Sequence, residues 1–150
     1  MNRTAPPDPA PARAARDTDR DLPLDQLAFR QMHRTAYLRY TEARTGNRAM
    51  AVQVVEAAFA ELAVRWAEML RHPCPAALAW HVLCQALDVR TGRCPRRPDD
   101  TDHRCLQQRQ DDAVLLHRHL QLPISTAADL MGLDTQLVRA LLRQAASPRP

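Results

Sequence analysis

The sequence is poor in glycine and in aromatic residues, and both shortages bear on its fold class. Of its 150 residues, 3 are glycine and 4% are aromatic, whereas 45% are hydrophobic. Strands are enriched in aromatic and β-branched residues, whereas alanine and leucine, the commonest hydrophobic residues here, favour helices. We therefore predict an all-α fold. A chain of this length has room for one domain or two small ones, but not for a large catalytic scaffold.

Long apolar runs and targeting signals are also missing. No stretch approaches the ~18 consecutive apolar residues that a membrane span needs. The N-terminal residues lack an apolar core and carry acidic side chains, so they do not read as a secretory or transit peptide. The 4 cysteines form no C-x-x-C pair, which fits a reducing compartment. We expect a cytoplasmic protein without a membrane partner.

Common catalytic and nucleotide-binding motifs are absent as well. The sequence contains no G-x-S-x-G, P-loop, H-E-x-x-H or dinucleotide fingerprint. Cys94, His103 and Cys105 do not have the spacing of a standard zinc module. We expect neither enzymatic activity nor a bound metal or cofactor.

Proline and charge divide the chain into segments. Residues 1–27 combine several prolines with small and charged residues, so we predict a disordered tail. Residues 28–92 show helical apolar spacing and are interpreted as a three-helix domain. Residues 93–108 are polar and without periodicity, which predicts a linker. Residues 109–146 form the second predicted domain.

Specific residues mark the helix boundaries in the first predicted domain. The first helix runs from Leu27, with Gly46 as its stop and Asn47 as the next N-cap. The second is predicted over residues 48–71, and the third begins at Pro75 and ends at Gly92.

The second predicted domain contains two short helices around a glycine. An apolar helix is expected around residues 113–120, followed by a restart capped by Ser125 or Thr126. Gly132 can adopt the positive φ of a tight turn, and Asp134 can cap the helix after it. This pattern predicts a helix-turn-helix.

The last helix of this motif has an apolar and a polar face. We expect the leucines of the segment to fill its core positions: Leu130, Leu133, Leu137, Leu141 and Leu142. The outward face would then present four polar side chains: Thr135, Gln136, Arg139 and Arg143. Arginine and glutamine read base edges or hold phosphates in a major groove. The alternative is a helical hairpin with solvated arginines. The segment from residue 111 onward is electrically neutral, whereas DNA-binding domains are usually basic.

Several segments together resemble the small two-domain sigma factors of the extracytoplasmic-function type. Residues 51–59, AVQVVEAAF, lie where that family writes A-E-D-x-x-Q-x-x-F. Trp80, Asp88 and Arg90 are similar to its W…D…R pattern in the helix that melts the promoter and reads the −10 element. Residues 127–145, from AADLMGL through Val138 to RQA, look like its region-four signature.

The resemblance implies a function and a set of partners. It implies a protein that recruits core RNA polymerase to promoter DNA, with Gln53 and Glu56 at the polymerase-docking positions. It also implies Arg90 as a DNA-binding residue beside the four on the last helix, and an anti-sigma protein as a regulatory partner. Two alternatives stay open: a degenerate sigma-like protein–protein interaction module, and a stand-alone helix-turn-helix regulator.

Overall fold

The computed structural model of the chain describes residues 21–93 and 103–147. Within these ranges the chain forms 7 α-helices and one π-helical segment, and no strand, so the predicted all-α class is confirmed. None of the helices in the described part is long and apolar enough to cross a membrane. Most of the predicted tail and the middle of the predicted linker lie outside the described residues.

The first two helices meet at the boundary that the sequence predicts. Helix α1 spans Leu24–Thr45 and ends at Gly46, whose φ is 66°. Helix α2 spans Arg48–Val64, and the Asn47 side chain caps it by accepting from the backbone N–H of Met50 at 3.1 Å. Helix α1 begins before the predicted Leu27 because Pro23 supplies a backbone conformation suited to a helix start, so residues 24–27 do not belong to a tail.

The predicted single helix over residues 48–71 is wrong at Arg65. There the backbone leaves the helical region, with φ −98° and ψ 16°, and a short helix α3, Trp66–Arg71, follows. The Arg65 guanidinium binds Glu68 at 2.8 and 2.9 Å, and the Trp66 indole donates to Asp25 of α1 at 3.0 Å. Met69 of α3 is buried, with 1% of it exposed.

The next helices flank the segment that was predicted as a linker. Helix α4 spans Pro75–Thr91 and ends at Gly92, as predicted. Helix α5 spans His103–Val114 and continues into a π-helical segment, Leu115–His119. The linker prediction is therefore wrong for residues 103–108, and the helix predicted over 113–120 begins much earlier. The start of α5 is polar and has no apolar periodicity. A hydrogen bond of 3.0 Å from the Gln107 amide to Asp111, four residues later, stabilises this part of the helix.

The last two helices are joined by a tight turn. Helix α6 spans Ile124–Met131 and helix α7 spans Thr135–Ala146. Gly132 adopts the predicted positive φ, 64°, and Asp134 caps α7 by accepting from Gln136 N–H at 2.7 Å. The prediction that Ser125 or Thr126 caps α6 is wrong, because Pro123 occupies the cap position and no side chain bonds there.

The two predicted domains share one hydrophobic core, so a division into separate domains is not confirmed. Asp112 of α5 is buried and accepts from the Tyr40 hydroxyl of α1 at 2.6 Å and from the Trp80 indole of α4 at 3.4 Å. The turn at Gly132 packs directly on Ala77 in the first turn of α4. Residues of both chain halves fill this core, including Tyr37, Val54, Phe59, Leu83, Leu116, Ala127, Met131 and Val138.

Candidate nucleic-acid interface

Helix α7 separates an apolar face from a basic face. Its buried side consists of Val138, Leu141 and Leu142. Of the four predicted DNA-binding residues on α7, Thr135 is half-buried, and the other three are exposed: Gln136, Arg139 and Arg143. The expectation that Leu137 fills a core position is wrong, since 40% of it is exposed on the outward side of the helix.

A shallow groove beside α7 gathers basic side chains from two elements. The groove has a volume of about 330 Å³. Arg139 and Arg143 of α7 and Arg118 and His117 of the π-helical segment line it, above an apolar floor: Ile124, Leu142 and Ala146. We call these four basic residues the basic cluster. Arg118 and His117 were not predicted as site residues, because nothing in the residue spacing indicates the π-helical segment.

Hydrogen bonds to backbone carbonyls orient the two members that sequence analysis missed. The Arg118 guanidinium donates to the carbonyl oxygen of Leu142 at 3.3 Å, and the His117 ring donates through Nδ1 to that of Leu122 at 2.8 Å. The first of these bonds joins the π-helical segment to α7 itself. The basic cluster is thus held together by the fold.

The aspartates that neutralise this segment in sequence are not among the residues that line the groove. Asp112 is buried against Tyr40 and Trp80, Asp134 caps α7, and Asp111 accepts from Gln107. None of the acidic side chains lines the groove, and among the described residues no ion pair engages Arg139 or Arg143. A neutral segment therefore carries a locally positive surface, the feature expected of a phosphate-binding face.

Arg90 does not join the basic cluster. It lies in the last turn of α4, and its guanidinium donates to the side-chain oxygen of Gln53 on α2 at 2.8 Å. Both residues are exposed. The structure thus connects one predicted DNA-binding residue with one predicted polymerase-binding residue, on a surface formed by α2 and α4.

Glu56, the second predicted polymerase-binding residue, is bound within the fold. Its carboxylate pairs with Arg30 and, at 3.1 Å, with Arg34, both on α1. Arg30 also lies over the Phe59 ring, 5.1 Å from its centroid. Glu56 therefore stabilises the packing of α1 on α2, and its carboxylate has partners before any other protein binds.

Trp80 and Asp88, which carry part of the sigma-factor resemblance, lie inside the fold. They are 7% and 5% exposed. The Trp80 ring contacts those of Tyr40 and Tyr37, with centroids 4.6 and 6.0 Å apart. Trp80 is consequently a core residue that joins α4 to α1 and, through Asp112, to α5.

The described residues offer no metal centre and no paired cysteines. Cys74, Cys84 and Cys105 form no disulfide within the described ranges, and no group of three or more His, Cys, Asp or Glu there could hold a metal ion. Cys94 lies outside those ranges.

Comparison of the chain with protein-family models, curated proteins and solved structures gave no match.

Proposed function

We propose that this chain is a sigma-factor-like transcription protein that binds promoter DNA through α7 and recruits core RNA polymerase. The observation that carries the proposal is the basic cluster beside the exposed face of α7. In this interpretation α6, the turn at Gly132 and α7 are a helix-turn-helix. Its second helix would enter a major groove and present the side chains of its exposed face to base edges.

The side chains on and beside α7 suit two kinds of DNA contact. Arg139 and Arg143 stand four residues apart and thus on the same side of the helix, and a guanidinium can bind guanine through two hydrogen bonds. The Gln136 amide can pair in the same way with adenine. Arg118, whose guanidinium is held against the end of α7, would contact a backbone phosphate.

DNA binding can be tested with a labelled duplex selected from a pool of genomic fragments, using fluorescence anisotropy at several salt concentrations. Arg139→Gln and Arg143→Gln should each weaken specific binding by about 1–3 kcal/mol, the range for a good base contact. Arg118→Gln should weaken binding to all DNA sequences by a similar factor, and it should reduce the salt dependence of the affinity by about the amount that one phosphate contact contributes. Arg71→Gln, an exposed arginine of α3, is the matched control. Unchanged affinity in all three variants would refute the proposed role of this face.

Polymerase recruitment requires a second experiment. The purified chain is passed with bacterial core RNA polymerase over a sizing column, and the shared fractions are tested for run-off transcription. Co-elution with new transcripts supports the sigma-like role, and Gln53→Ala should then reduce co-elution because Gln53 is exposed on α2. Gln31→Ala, an exposed glutamine on α1, serves as control.

One observation favours a stand-alone helix-turn-helix regulator as the second candidate. The Glu56 carboxylate is already paired with Arg30 and Arg34, so a partner protein must compete with contacts inside the fold. A stand-alone regulator predicts specific DNA binding without co-elution. The sigma-like role predicts both.

A further inference from the structure

A second and larger cavity lies on the side of the π-helical segment that faces α1. It has a volume of about 670 Å³, within the range of small-molecule sites. Four elements form its walls: the end of α1, helix α5, the π-helical segment and the end of α7. We call it the junction cleft, because α1 comes from the first half of the chain and the other three elements from the second.

The walls of the junction cleft are polar and carry an excess of positive charge. Arg44, Arg118 and His119 line it, and Asp111 is the carboxylate among its described lining residues. Asp111 already accepts a hydrogen bond from Gln107 at 3.0 Å. Arg44 and Arg118 against Asp111 leave the lining with a surplus of one positive charge.

Arg44 is the most informative residue of the cleft. Its guanidinium lies 5.9 Å from the centroid of the Tyr40 ring. Burial acts to lower the pKa of Arg44, but the surrounding Tyr40 and Asp112 outweigh this effect and raise it, so the group stays charged. Among the described residues it makes no hydrogen bond or salt bridge, so its N–H groups are available to an anionic ligand.

The backbone beside the cleft has an uncommon conformation. Leu120 N–H bonds to the carbonyl oxygen of Leu115 at 3.0 Å, five residues back, and Gln121 adopts a positive φ of 58°. Such π-helical turns are rare and occur frequently at functional sites. This one supplies both Arg118 and His119 to the cleft.

We propose that the junction cleft binds a small phosphorylated molecule of about nucleotide size. Arg44 and Arg118 would hold the phosphate oxygens, because a guanidinium matches phosphate through paired, charge-assisted hydrogen bonds. Gln107, Gln110 and Gln144, which also line the cleft, carry amide donors and acceptors for the uncharged part of the ligand. The proposal does not depend on DNA binding.

The test is isothermal titration of the full chain with ATP as the probe and adenosine as its uncharged counterpart. ATP should bind saturably with a Kd below about 1 mM, the weak end of measured affinities, and adenosine should bind at least about tenfold more weakly. Arg44→Gln and Arg118→Gln should each weaken ATP binding by about tenfold or more. His119→Gln, at an exposed position, should weaken it several-fold, which keeps the test valid if Arg44→Gln folds poorly.

Arg118 lines both this cleft and the groove of the basic cluster, so two controls outside the cleft are needed. Arg71→Gln on α3 and Arg139→Gln in the groove beside α7 should bind ATP as the parent chain does. The proposal is overturned if ATP gives no saturable binding, if adenosine binds equally well, or if the Arg118→Gln and His119→Gln variants bind normally. It is also overturned if Arg139→Gln abolishes binding, because the anion site would then be the basic cluster.

Discussion

Substituting Gly132 by alanine tests the packing of the α6–α7 turn against α4. A Cβ atom at this position would crowd the backbone N of Ala77 and lie 2.5 Å from its Cα and 2.7 Å from its Cβ. Ordinary contacts between carbon atoms are about 3.5–4.0 Å. The φ of +64° adds strain for any residue with a side chain. The turn must therefore move away from α4, or α4 must shift.

The expected loss of stability combines these two effects. The left-handed conformation costs about 1–2 kcal/mol, and overpacking costs about 1–3 kcal/mol more. We expect Gly132→Ala to lower the free energy of unfolding by about 2–5 kcal/mol, a large share of the ~5–15 kcal/mol typical of a folded domain. Urea unfolding followed by circular dichroism and tryptophan fluorescence measures it.

The chain supplies its own controls for this measurement. Gly46 and Gly92 have φ values of +66° and +70°, and an added Cβ would meet nothing within 4 Å. Gly46→Ala and Gly92→Ala should therefore show the conformational cost alone, about 1–2 kcal/mol. If Gly132→Ala costs no more than these two, the turn does not pack on α4 and the shared core is refuted at this point.

Two further predictions concern a buried carboxylate and a half-buried histidine. Asp112→Ala should destabilise the fold by about 1–3 kcal/mol, because the Tyr40 hydroxyl and the Trp80 indole lose their acceptor. A double-mutant cycle with Tyr40→Phe should show coupling, and purely additive losses would contradict the bond. Burial lowers the pKa of His33 from 6.5 in the folded chain, so the unfolded chain binds the proton more readily. The contribution of His33 to the free energy of unfolding should be fully present above pH 6.5 and should be lost as the pH falls through the pKa of the folded chain. Urea unfolding at several pH values should show a weaker acid dependence for His33→Gln than for the parent chain. Identical pH profiles of the two proteins would contradict this prediction.

Local chemistry made several helix boundaries predictable from the sequence. Gly46 and Gly92 end helices because glycine adopts positive φ without steric cost. Asn47 and Asp134 begin helices because their side chains accept from backbone N–H groups that have no helical partner. Each of these residues lies next to the helix end that it determines, so the boundary can be predicted from the local sequence.

Features set by distant contacts escaped the sequence analysis. The break at Arg65 orients Trp66 toward Asp25, a residue on another helix. The polar start of α5 carries no apolar pattern, although the last turn of the helix contains the buried Asp112 and Ala113. Hydrophobic periodicity reports only the burial of one face and cannot anticipate such partners.

Part of the candidate site could be predicted from local spacing, and the rest depends on distant contacts. The face of α7 follows from helical spacing, so Arg139 and Arg143 could be identified in advance. Arg118 could not, because its position depends on the π-helical segment. Leu137 was misplaced because an apolar residue on an amphipathic helix is not always a buried one.

The core shared by both halves of the chain has a consequence for the choice of DNA target. Two domains on a flexible tether accept targets over a range of spacings, because the reach of the tether sets the effective concentration of the second contact. Here Asp112 joins α5 to α1 and α4, so Arg90 of α4, a predicted DNA-binding residue, and the face of α7 are held at a fixed separation. Under the proposed function, a target with a different spacing must bend or twist to satisfy both surfaces, at a cost in deformation energy. The distance between the two contacts then becomes part of the recognised sequence.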